Sequence, residues 1–470
     1  MHRWMLVLST ALAAAVADSP AISAEGPPPR FETLLVLDRE SVAAAEGVTF
    51  HLNQARKHPE NPLLLPGAPP DWDSLQVIWP GTVLYDAQER LFRCWYSGTT
   101  AVQADRRGPS VWRQGYAESK DGVYWTKRGQ IQADWDYFTL SLVFRNPIHS
   151  DPARKFLALF TATDVGNGRM GKFLASSAHG IRWRREKSAY TASAPGRETL
   201  QDISQLLLLP VPQDSEVRVL GYGQLLDRGK RTIGTVQGPD VGNLRDVSLT
   251  PVLAPEQGID EEIHFASVSR VGGTLLMLFE SDRFSKNHGD LRLAVSGDGM
   301  HWRRVHPQTP LVSTGPKGTW DENLLATTTA AMQEVGDEVW IYYFGCPNVF
   351  VNWPRGGAHR GSLYYPSYLG VAILPRDRYA YAAGPGSLTT HLLKPAPSGL
   401  WLNADGKEIR VLARDETGRV LAEGRVGNER SATVYRRIMW NGDAPSGKVR
   451  IQVHLGPDQR LYSLRDVARN

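Results

Sequence analysis

The sequence contains few cysteines, carries little net charge and has no long hydrophobic run beyond its N-terminus. Its 470 residues include two cysteines, and no cysteine–histidine group has the ligand spacing of a zinc site. The formal net charge is +4, with no basic run and no alternation of basic and aromatic residues, which argues against a nucleic-acid partner. The composition therefore predicts a globular protein with neither a zinc centre nor a nucleic-acid-binding surface.

The two cysteines, Cys94 and Cys346, leave two alternatives open. In an oxidising compartment an even number of cysteines permits one disulfide. Two buried thiols are the favoured alternative, because the sequence does not fix the Cα separation that a disulfide requires.

The N-terminus has the pattern of a secretory signal. His2 and Arg3 precede an apolar stretch from Trp4 to Val16, which is shorter than the roughly 20 residues of a membrane-spanning helix. We predict a signal peptide over residues 1–24, with cleavage after Ala17 or Ala24. The expected location is secreted or periplasmic, with no membrane partner after cleavage; a membrane anchor is the alternative.

A short phrase recurs down the chain at intervals of roughly 60 residues or twice that. Asp and Gly in tandem favour a tight hairpin turn, with Gly adopting a positive φ, and the following Trp can pack across the hairpin. We therefore interpret each copy as a structural turn between two outer strands of a sheet. The copies are Ser119–Trp125, Ser177–Trp183, Ser296–Trp302 and a degenerate one, Thr235–Asp240.

Strand-like runs rich in β-branched and aromatic residues recur with the same period, and no segment among them has a helical period. Five such units, each with room for four short strands, predict an all-β fold with a five-bladed β-propeller. The runs are 90–96, 155–160, 217–222, 274–279 and 338–343. The predicted domains are an N-terminal leader at 25–66, the propeller at 67–384 and a small C-terminal β-sandwich at 385–470.

A carboxylate lies near the predicted start of the innermost strand in every unit. Innermost strands of a propeller line its channel, and glycoside hydrolysis needs two carboxyl groups, one as an acid and one as a base or nucleophile. The alternative is that several of these side chains cap turns at the strand ends. The candidate catalytic residues are Asp73, Asp136, Asp202, Glu262 and Asp321.

Aromatic and planar polar side chains accompany these carboxylates, as a sugar-binding pocket requires. Trp79, Trp135, His264 and Asn323 lie close to them in the sequence, and Trp353 and Arg355 lie on a polar loop after the fifth run. We predict these six as substrate-binding residues. Carbohydrate is the expected partner; no metal ligand or cofactor is predicted, although a calcium ion in the channel is left open.

Several phrases resemble secreted bacterial five-bladed propeller proteins related to glycoside hydrolases of families 32 and 43. The resemblance rests on 79–86, 91–96, the repeated turns, Trp320-Asp321 and 341–345, and it extends through the C-terminal pattern 400–463. It implies a propeller plus sandwich that acts on glycans. In those families the acid is usually a Glu in the third blade, where this sequence has Asp202; by position, Asp73 and Asp136 would match the first- and second-blade carboxylates. The family 32 phrase Asn-Asp-Pro-Asn-Gly is absent.

Three functions compete on this basis. A secreted glycoside hydrolase is the first. A non-catalytic glycan-binding propeller is the second, and it would be favoured if the carboxylates pointed outward. A polysaccharide lyase, with Tyr or His as the base, is the third.

Overall fold

The computed structural model describes residues 33–100, 113–134, 139–146, 151–163, 170–191, 201–209, 215–347, 366–395, 399–427 and 434–466. The predicted signal peptide lies outside these residues. The described residues form strands joined by turns, with single 3-10 turns at Arg39–Ser41, Pro152–Arg154 and Phe284–Lys286. None of the helices described there has the length and apolarity needed to cross a membrane. The predicted all-β fold is confirmed.

The N-terminal segment contributes four short strands to sheets built mainly from later residues. Strands β1 (Thr33–Leu35), β2 (Ala44–Glu46) and β3 (Thr49–Leu52) pair with strands near the C-terminus. Strand β4 (Arg56–Lys57) pairs instead with residues Ala372 and Ile373. The segment predicted as a leader is therefore part of the folded sheets.

Five groups of four antiparallel strands follow in the described part of the chain, and the fourth strand of the fifth group is β4. Short parallel pairings join some of these groups edge to edge, and each group is called a sheet below. The predicted runs all fall on the second strands, whose continuous apolar residues are buried on both faces.

The first sheet contains β5 (Gln76–Asp86), β6 (Leu91–Thr99), β7 (Arg113–Ser119) and β8 (Thr126–Gln130). After β9 (Gln132–Ala133), the second contains β10 (Thr139–Arg145), β11 (Phe156–Thr163), β12 (Met170–Ser177) and β13 (Arg182–Thr191). The third contains β14 (Gln201–Leu208), β15 (Val219–Asp227), β16 (Lys230–Gly238) and β17 (Leu244–Leu253). The fourth contains β18 (Ala266–Val271), β19 (Thr274–Arg283), β20 (His288–Ser296) and β21 (Arg303–Val305). The fifth contains β22 (Leu324–Val335), β23 (Glu338–Cys346) and β24 (Tyr368–Pro375).

The first strands of these sheets contact one another in the closed order β5, β10, β14, β18, β22 and back to β5. Apolar clusters fill the space between consecutive sheets, and another lies between the fifth sheet and the first. In β19, Leu275 and Met277 face the third sheet, whereas Leu276 and Leu278 face the fifth. Such a ring of radial sheets around a common axis is a β-propeller.

Hydroxyl groups join the first strands near the axis. Thr82 Oγ1 accepts a hydrogen bond of 3.0 Å from the Val143 amide, which links β5 to β10. Ser204 Oγ donates to the Ala266 carbonyl at 2.6 Å, and the Ala331 amide donates to Ser267 Oγ at 2.8 Å. Short polar side chains thus satisfy buried backbone groups where the first strands meet.

The predicted turns are confirmed at all three complete copies of the phrase. Gly122, Gly180 and Gly299 have φ values of 78°, 79° and 81°. In each copy the Ser hydroxyl accepts a hydrogen bond from the Gly amide, and the Trp indole donates to the Gly carbonyl. These turns connect the third and fourth strands of the first, second and fourth sheets, as predicted for outer strands.

The C-terminal region forms two six-stranded sheets that enclose a shared apolar core, and strands β1 to β3 belong to them. The boundary predicted at 384/385 separates β25 from β26, although both strands pair within these two sheets. The remaining strands are β25 (Ala380–Ala383), β26 (Gly386–Thr389), β27 (Trp401–Asp405), β28 (Ile409–Arg414), β29 (Val420–Val426), β30 (Tyr435–Arg437), β31 (Met439–Trp440), β32 (Arg450–Leu455) and β33 (Arg460–Arg465). Cys94 and Cys346 are both buried thiols, the favoured alternative.

Candidate functional site

Asp73 belongs to a structural brace that spans the first sheet. Its Oδ2 atom lies 2.6 Å from Lys127 Nζ on the outermost strand and accepts a 3.0 Å hydrogen bond from the Tyr96 hydroxyl. The preceding Trp72 stacks on Tyr96 with ring centroids 5.6 Å apart. Gly98 leaves room for Trp72 and Asp73, because a Cβ there would lie 2.6 Å from atoms of both. We call this arrangement a brace: a Trp-Asp pair in which the Trp stacks on a Tyr, and the Asp is bound by that Tyr and by a Lys of the outermost strand.

The fifth sheet contains a second brace built in the same way. Asp321 Oδ2 lies 2.5 Å from Lys57 Nζ and accepts a 3.1 Å hydrogen bond from the Tyr343 hydroxyl. Trp320 stacks on Tyr343 at 5.7 Å with an interplanar angle of 12°. Here too the lysine lies on the outermost strand, which is β4.

Glu261 has the corresponding role in the fourth sheet. Arg304, on the outermost strand, donates to both oxygens of Glu261 at 2.9 and 2.8 Å, and Ser281 Oγ donates to Oε1 at 2.5 Å. The Arg304 guanidinium lies 4.9 Å from the centroid of the Phe279 ring, as the lysines lie over Tyr96 and Tyr343.

These contacts concern two of the five carboxylates predicted as catalytic, Asp73 and Asp321. Both carboxylates are buried, at 1% and 2% exposure, and each is held by a lysine from the outermost strand of its own sheet. A buried carboxylate requires such a partner, because the uncompensated charge is costly. We therefore assign Asp73 and Asp321 to the braces, which agrees with the structural alternative for carboxylates at strand ends.

A different group of ionisable side chains lies beside the start of β18. We define the His264 cluster as His264, Glu280 and Asp282. His264 Nδ1 lies 3.9 Å from Glu280 Oε2 and 3.6 Å from Asp282 Oδ2. His264 immediately precedes Phe265 and β18, whereas Glu280 and Asp282 lie near the end of β19, which pairs with β18.

Backbone pairing fixes this geometry. The Glu262 and Asp282 amides donate to each other's carbonyl groups at 2.9 Å, so the ladder extends beyond β18 to the residues before it. Glu280 Oε1 accepts a 2.7 Å hydrogen bond from the Thr327 amide of β22. The His264 cluster therefore lies where the fourth sheet meets the first strand of the fifth.

Glu262 is the partly exposed carboxylate next to the cluster. Its Oε2 atom lies 2.8 Å from Arg231 Nη1, and the two side chains are 14% and 16% exposed. Arg231 lies on β16 of the third sheet, and its carbonyl accepts a 3.0 Å hydrogen bond from the Ile263 amide. This ion pair joins the third and fourth sheets next to the start of β18.

Burial governs the electrostatics of the cluster. It raises the pKa of Glu280 and of Asp282 well above their ordinary values, and the charge of Asp282 adds to the effect on Glu280, as the charge of Glu262 does on Asp282. Burial and the nearby Arg231 charge lower the pKa of His264 well below its usual value. The imidazole is therefore neutral at physiological pH, the form in which histidine binds metal ions.

The His264 cluster is the group of described residues whose geometry could hold a metal ion: its three ligand atoms lie within 4.8 Å of one another. The sequence predicted no metal ligand. His264 was predicted as a substrate-binding residue.

The other predicted residues have varied placements. The Asn323 carbonyl accepts a 2.7 Å hydrogen bond from the Gly289 amide, and a Cβ at Gly289 would collide with Asp282 Oδ1. Asn323 thus lies near the cluster, although its side-chain amide donates to the Pro347 carbonyl. Asp202 lies on β14 and Trp79 on β5; their side chains fall outside the described part of the chain, as do residues Asp136, Trp135, Trp353 and Arg355 entirely.

Sequence reasoning missed Glu280, Asp282 and Arg231. It sought carboxylates before the first strands, whereas Glu280 and Asp282 lie at the end of a second strand. A signal was present in the sequence, because two carboxylates lie within three residues after the buried apolar run Leu275–Phe279. Ionisable residues that continue a buried strand are unusual and often mark a site.

No family model and no curated protein matches this chain. Similar solved structures include a glycosyl hydrolase from Bacteroides ovatus, with 12% identity, TM-score 0.44 and coverage of 70% of this chain and 95% of that one. A family 43 arabinoxylan arabinofuranohydrolase from Bacillus subtilis has 12% identity, TM-score 0.41 and coverages of 88% and 99%. The family 32 β-fructofuranosidase of Bombyx mori has 10% identity, TM-score 0.41 and coverages of 88% and 95%.

Proposed function

We propose that this protein is a hydrolase that acts on an oligo- or polysaccharide, with its reacting groups at the end of the propeller where the first strands begin. The observation that carries the proposal is Glu262, a partly exposed carboxylate that Arg231 fixes beside the start of β18. Glycosidic hydrolysis depends on such a fixed carboxylate together with a second carboxyl group across the substrate.

Asp202 is the proposed partner of Glu262. It lies two residues before Ser204, whose hydroxyl donates to the Ala266 carbonyl at 2.6 Å. Strands β14 and β18 are therefore neighbours in the ring. In this proposal Glu262 activates water or attacks the anomeric carbon, and Asp202 protonates the leaving oxygen.

The separation of the two carboxyl groups decides the stereochemical outcome. A distance of about 5–5.5 Å favours retention, and about 6.5–9.5 Å leaves room for a water molecule and favours inversion. The anomeric configuration of the first product, followed by NMR, reports which of these applies.

The test is activity on a panel of glycans with Glu262→Gln and Asp202→Asn. Each variant should lower kcat by about 10²–10⁴-fold, because one acid or base group is lost, while circular dichroism stays that of the wild type. Glu261→Gln is the matched control. It removes the neighbouring carboxylate, which Arg304 and Ser281 bind within the fourth sheet. This variant should lower the stability of the protein, while kcat of the folded protein is retained.

Full activity in both Glu262→Gln and Asp202→Asn would overturn the assignment. An inert wild type that binds glycans would instead favour the non-catalytic alternative. Release of an unsaturated sugar product would identify a lyase.

We also propose that the protein is exported, on the basis of the apolar stretch from Trp4 to Val16 and the small residues that follow it. Mass spectrometry of the mature chain should find an N-terminus after Ala17 or Ala24. An intact N-terminus in a membrane fraction would support the anchor alternative.

A further inference from the structure

We propose that the His264 cluster binds a divalent first-row transition-metal ion such as Zn²⁺ or Mn²⁺. The three residues would supply one imidazole nitrogen and two carboxylate oxygens. This inference goes beyond the proposed hydrolase activity and does not depend on it, because it concerns the buried side chains rather than Glu262 and Asp202.

The two distances from the imidazole nitrogen to the carboxylate oxygens fit one shared ion. Zn²⁺ lies about 2.0–2.2 Å from imidazole nitrogen and carboxylate oxygen ligands, so two ligands of one ion can be separated by no more than about 4.4 Å. His264 Nδ1 is 3.9 Å from Glu280 Oε2 and 3.6 Å from Asp282 Oδ2. These separations are too long for hydrogen bonds, yet suitable for an ion between the atoms.

Two carboxylate oxygens in the cluster have no hydrogen-bond partner among the described residues. These atoms are Glu280 Oε2 and Asp282 Oδ1, and both residues are 1% exposed. Glu280 Oε2 is also the oxygen that faces His264 Nδ1. A buried carboxylate oxygen without a donor is costly, and two such groups together are more so. A dication would offset both charges.

Three arginines near the cluster form ion pairs with carboxylates outside it. Arg231 pairs with Glu262, Arg304 with Glu261, and Arg292 with Asp290. The neighbouring carboxylates thus have cations of their own, whereas Glu280 and Asp282 face a neutral imidazole.

The donor set indicates the class of metal. Ca²⁺ takes six to eight oxygen ligands, and Mg²⁺ keeps several waters in an octahedral oxygen shell. Imidazole nitrogen favours Zn²⁺ and neighbouring transition metals, and carboxylates are compatible with Zn²⁺ and Mn²⁺. Three protein ligands leave a further coordination position.

A bound ion would connect three parts of the propeller. His264 precedes β18, Asp282 and Glu280 lie on β19, and Glu280 also accepts from the Thr327 amide of β22. The ion would thereby fix the segment that carries Glu262.

The experiment uses the full chain after removal of metals with a chelator. Isothermal titration with ZnCl₂, MnCl₂ and CaCl₂ should show one Zn²⁺ or Mn²⁺ site per chain and no comparable Ca²⁺ binding. Saturating metal should raise Tm, since an ion that binds only the folded state stabilises it. Glu280→Gln and Asp282→Asn should each weaken binding at least tenfold and remove the shift in Tm.

The glutamine and asparagine variants test the site without a folding artefact, because each removes a buried charge and keeps the side-chain shape. Without metal they should be at least as stable as the wild type. Asp290→Asn is the matched control: it removes a buried carboxylate that Arg292 and His288 already engage, and it should retain the metal affinity of the wild type.

Absence of Zn²⁺ and Mn²⁺ binding, or binding that persists in both Glu280→Gln and Asp282→Asn, would overturn the site. Binding of Ca²⁺ alone would overturn the metal class. Metal affinity and the shift in Tm are both measured without a glycan. The test therefore remains valid if the protein proves not to be a hydrolase.

Discussion

Lys57 Nζ lies 2.5 Å from Asp321 Oδ2, although the two residues are far apart in the chain. Lys57 lies on β4, the strand that the N-terminal segment adds to the fifth sheet. The contact therefore does more than neutralise a buried carboxylate: it secures the strand that completes the sheet. The equivalent lysine of the first sheet, Lys127, lies on β8, which follows β7 directly in the chain. The first sheet therefore needs no strand from a distant segment.

We expect Asp321→Asn to lower the free energy of unfolding by about 1–3 kcal/mol. Breaking a buried ion pair is strongly destabilising, and the effect is reduced here because the Lys57 side chain is 27% exposed. Urea denaturation measures the change. Asp73→Asn should lower the free energy of unfolding by a similar amount, because Asp73 pairs with Lys127 in the first sheet. Normal stability combined with selective loss of glycan hydrolysis would restore the catalytic interpretation of Asp321.

The repeated turns are tied to neighbouring sheets by an aromatic side chain. Tyr222 of the third sheet donates a 2.9 Å hydrogen bond to the Gly299 carbonyl in the fourth, as Trp95 does to Gly180 at 2.7 Å and Tyr342 to Gly122 at 3.0 Å. Tyr222→Phe should lower the free energy of unfolding by about 1 kcal/mol. Tyr124→Phe, at an exposed position, is the control and should have no measurable effect.

Asp298→Ala should destabilise the protein by about 1 kcal/mol through lost turn hydrogen bonds and leave glycan affinity unchanged. Asp298 Oδ1 accepts from the Met300 and His301 amides at 2.8 and 2.9 Å. A loss of glycan binding at unchanged Tm would contradict the structural role of the turn.

The same turn predicts a dependence on pH. Burial acts to raise the pKa of Asp298, but the hydrogen bonds from His301, Met300 and Ser296 outweigh it and lower that pKa below its ordinary value of 3.8. A lowered pKa stabilises the folded state at all pH values above the unfolded pKa, and the contribution is lost as pH falls below it. The stability difference between wild type and Asp298→Ala should therefore shrink below about pH 4.

Gly180→Ala should be more destabilising than Gly229→Ala. Both glycines have positive φ, 79° and 74°, so alanine carries a backbone cost of about 1–2 kcal/mol at either position. A Cβ at Gly180 would lie 2.5 Å from the Trp95 ring, whereas nothing lies within 4 Å at Gly229. The extra clash should add about 1–3 kcal/mol, measured by thermal unfolding of both variants. Equal effects would show that the approach of Trp95 is not required.

The sequence allowed correct prediction of features that depend on neighbouring residues. The turn at Ser296–Trp302 closes through hydrogen bonds among its own residues, and the run at 274–279 is apolar because β19 is buried on both faces. Such local patterns need no knowledge of distant partners.

Features that depend on distant partners were not predicted. Nothing in the residues around Arg56 indicates that they pair with Ile373. Likewise, nothing around Thr33–Leu35 indicates that this strand lies beside Arg465.

In the candidate site, too, the residues predicted correctly are those with a local signal. Glu262 and His264 were predicted from their position before a first strand, but Glu280 and Asp282 meet them only through the β18–β19 pairing. The lysine partners that assign Asp73 and Asp321 to braces lie on outer strands.

Strand β4 also determines when the molecule can finish folding. It is synthesised before the first sheet, yet its partner Ala372 lies in the last sheet, so the fifth sheet stays one strand short until almost the whole propeller has been made. Contacts so distant in sequence slow folding. The closing step is therefore expected to be late, and the chain should expose an unpaired strand edge, at β24, until β4 docks.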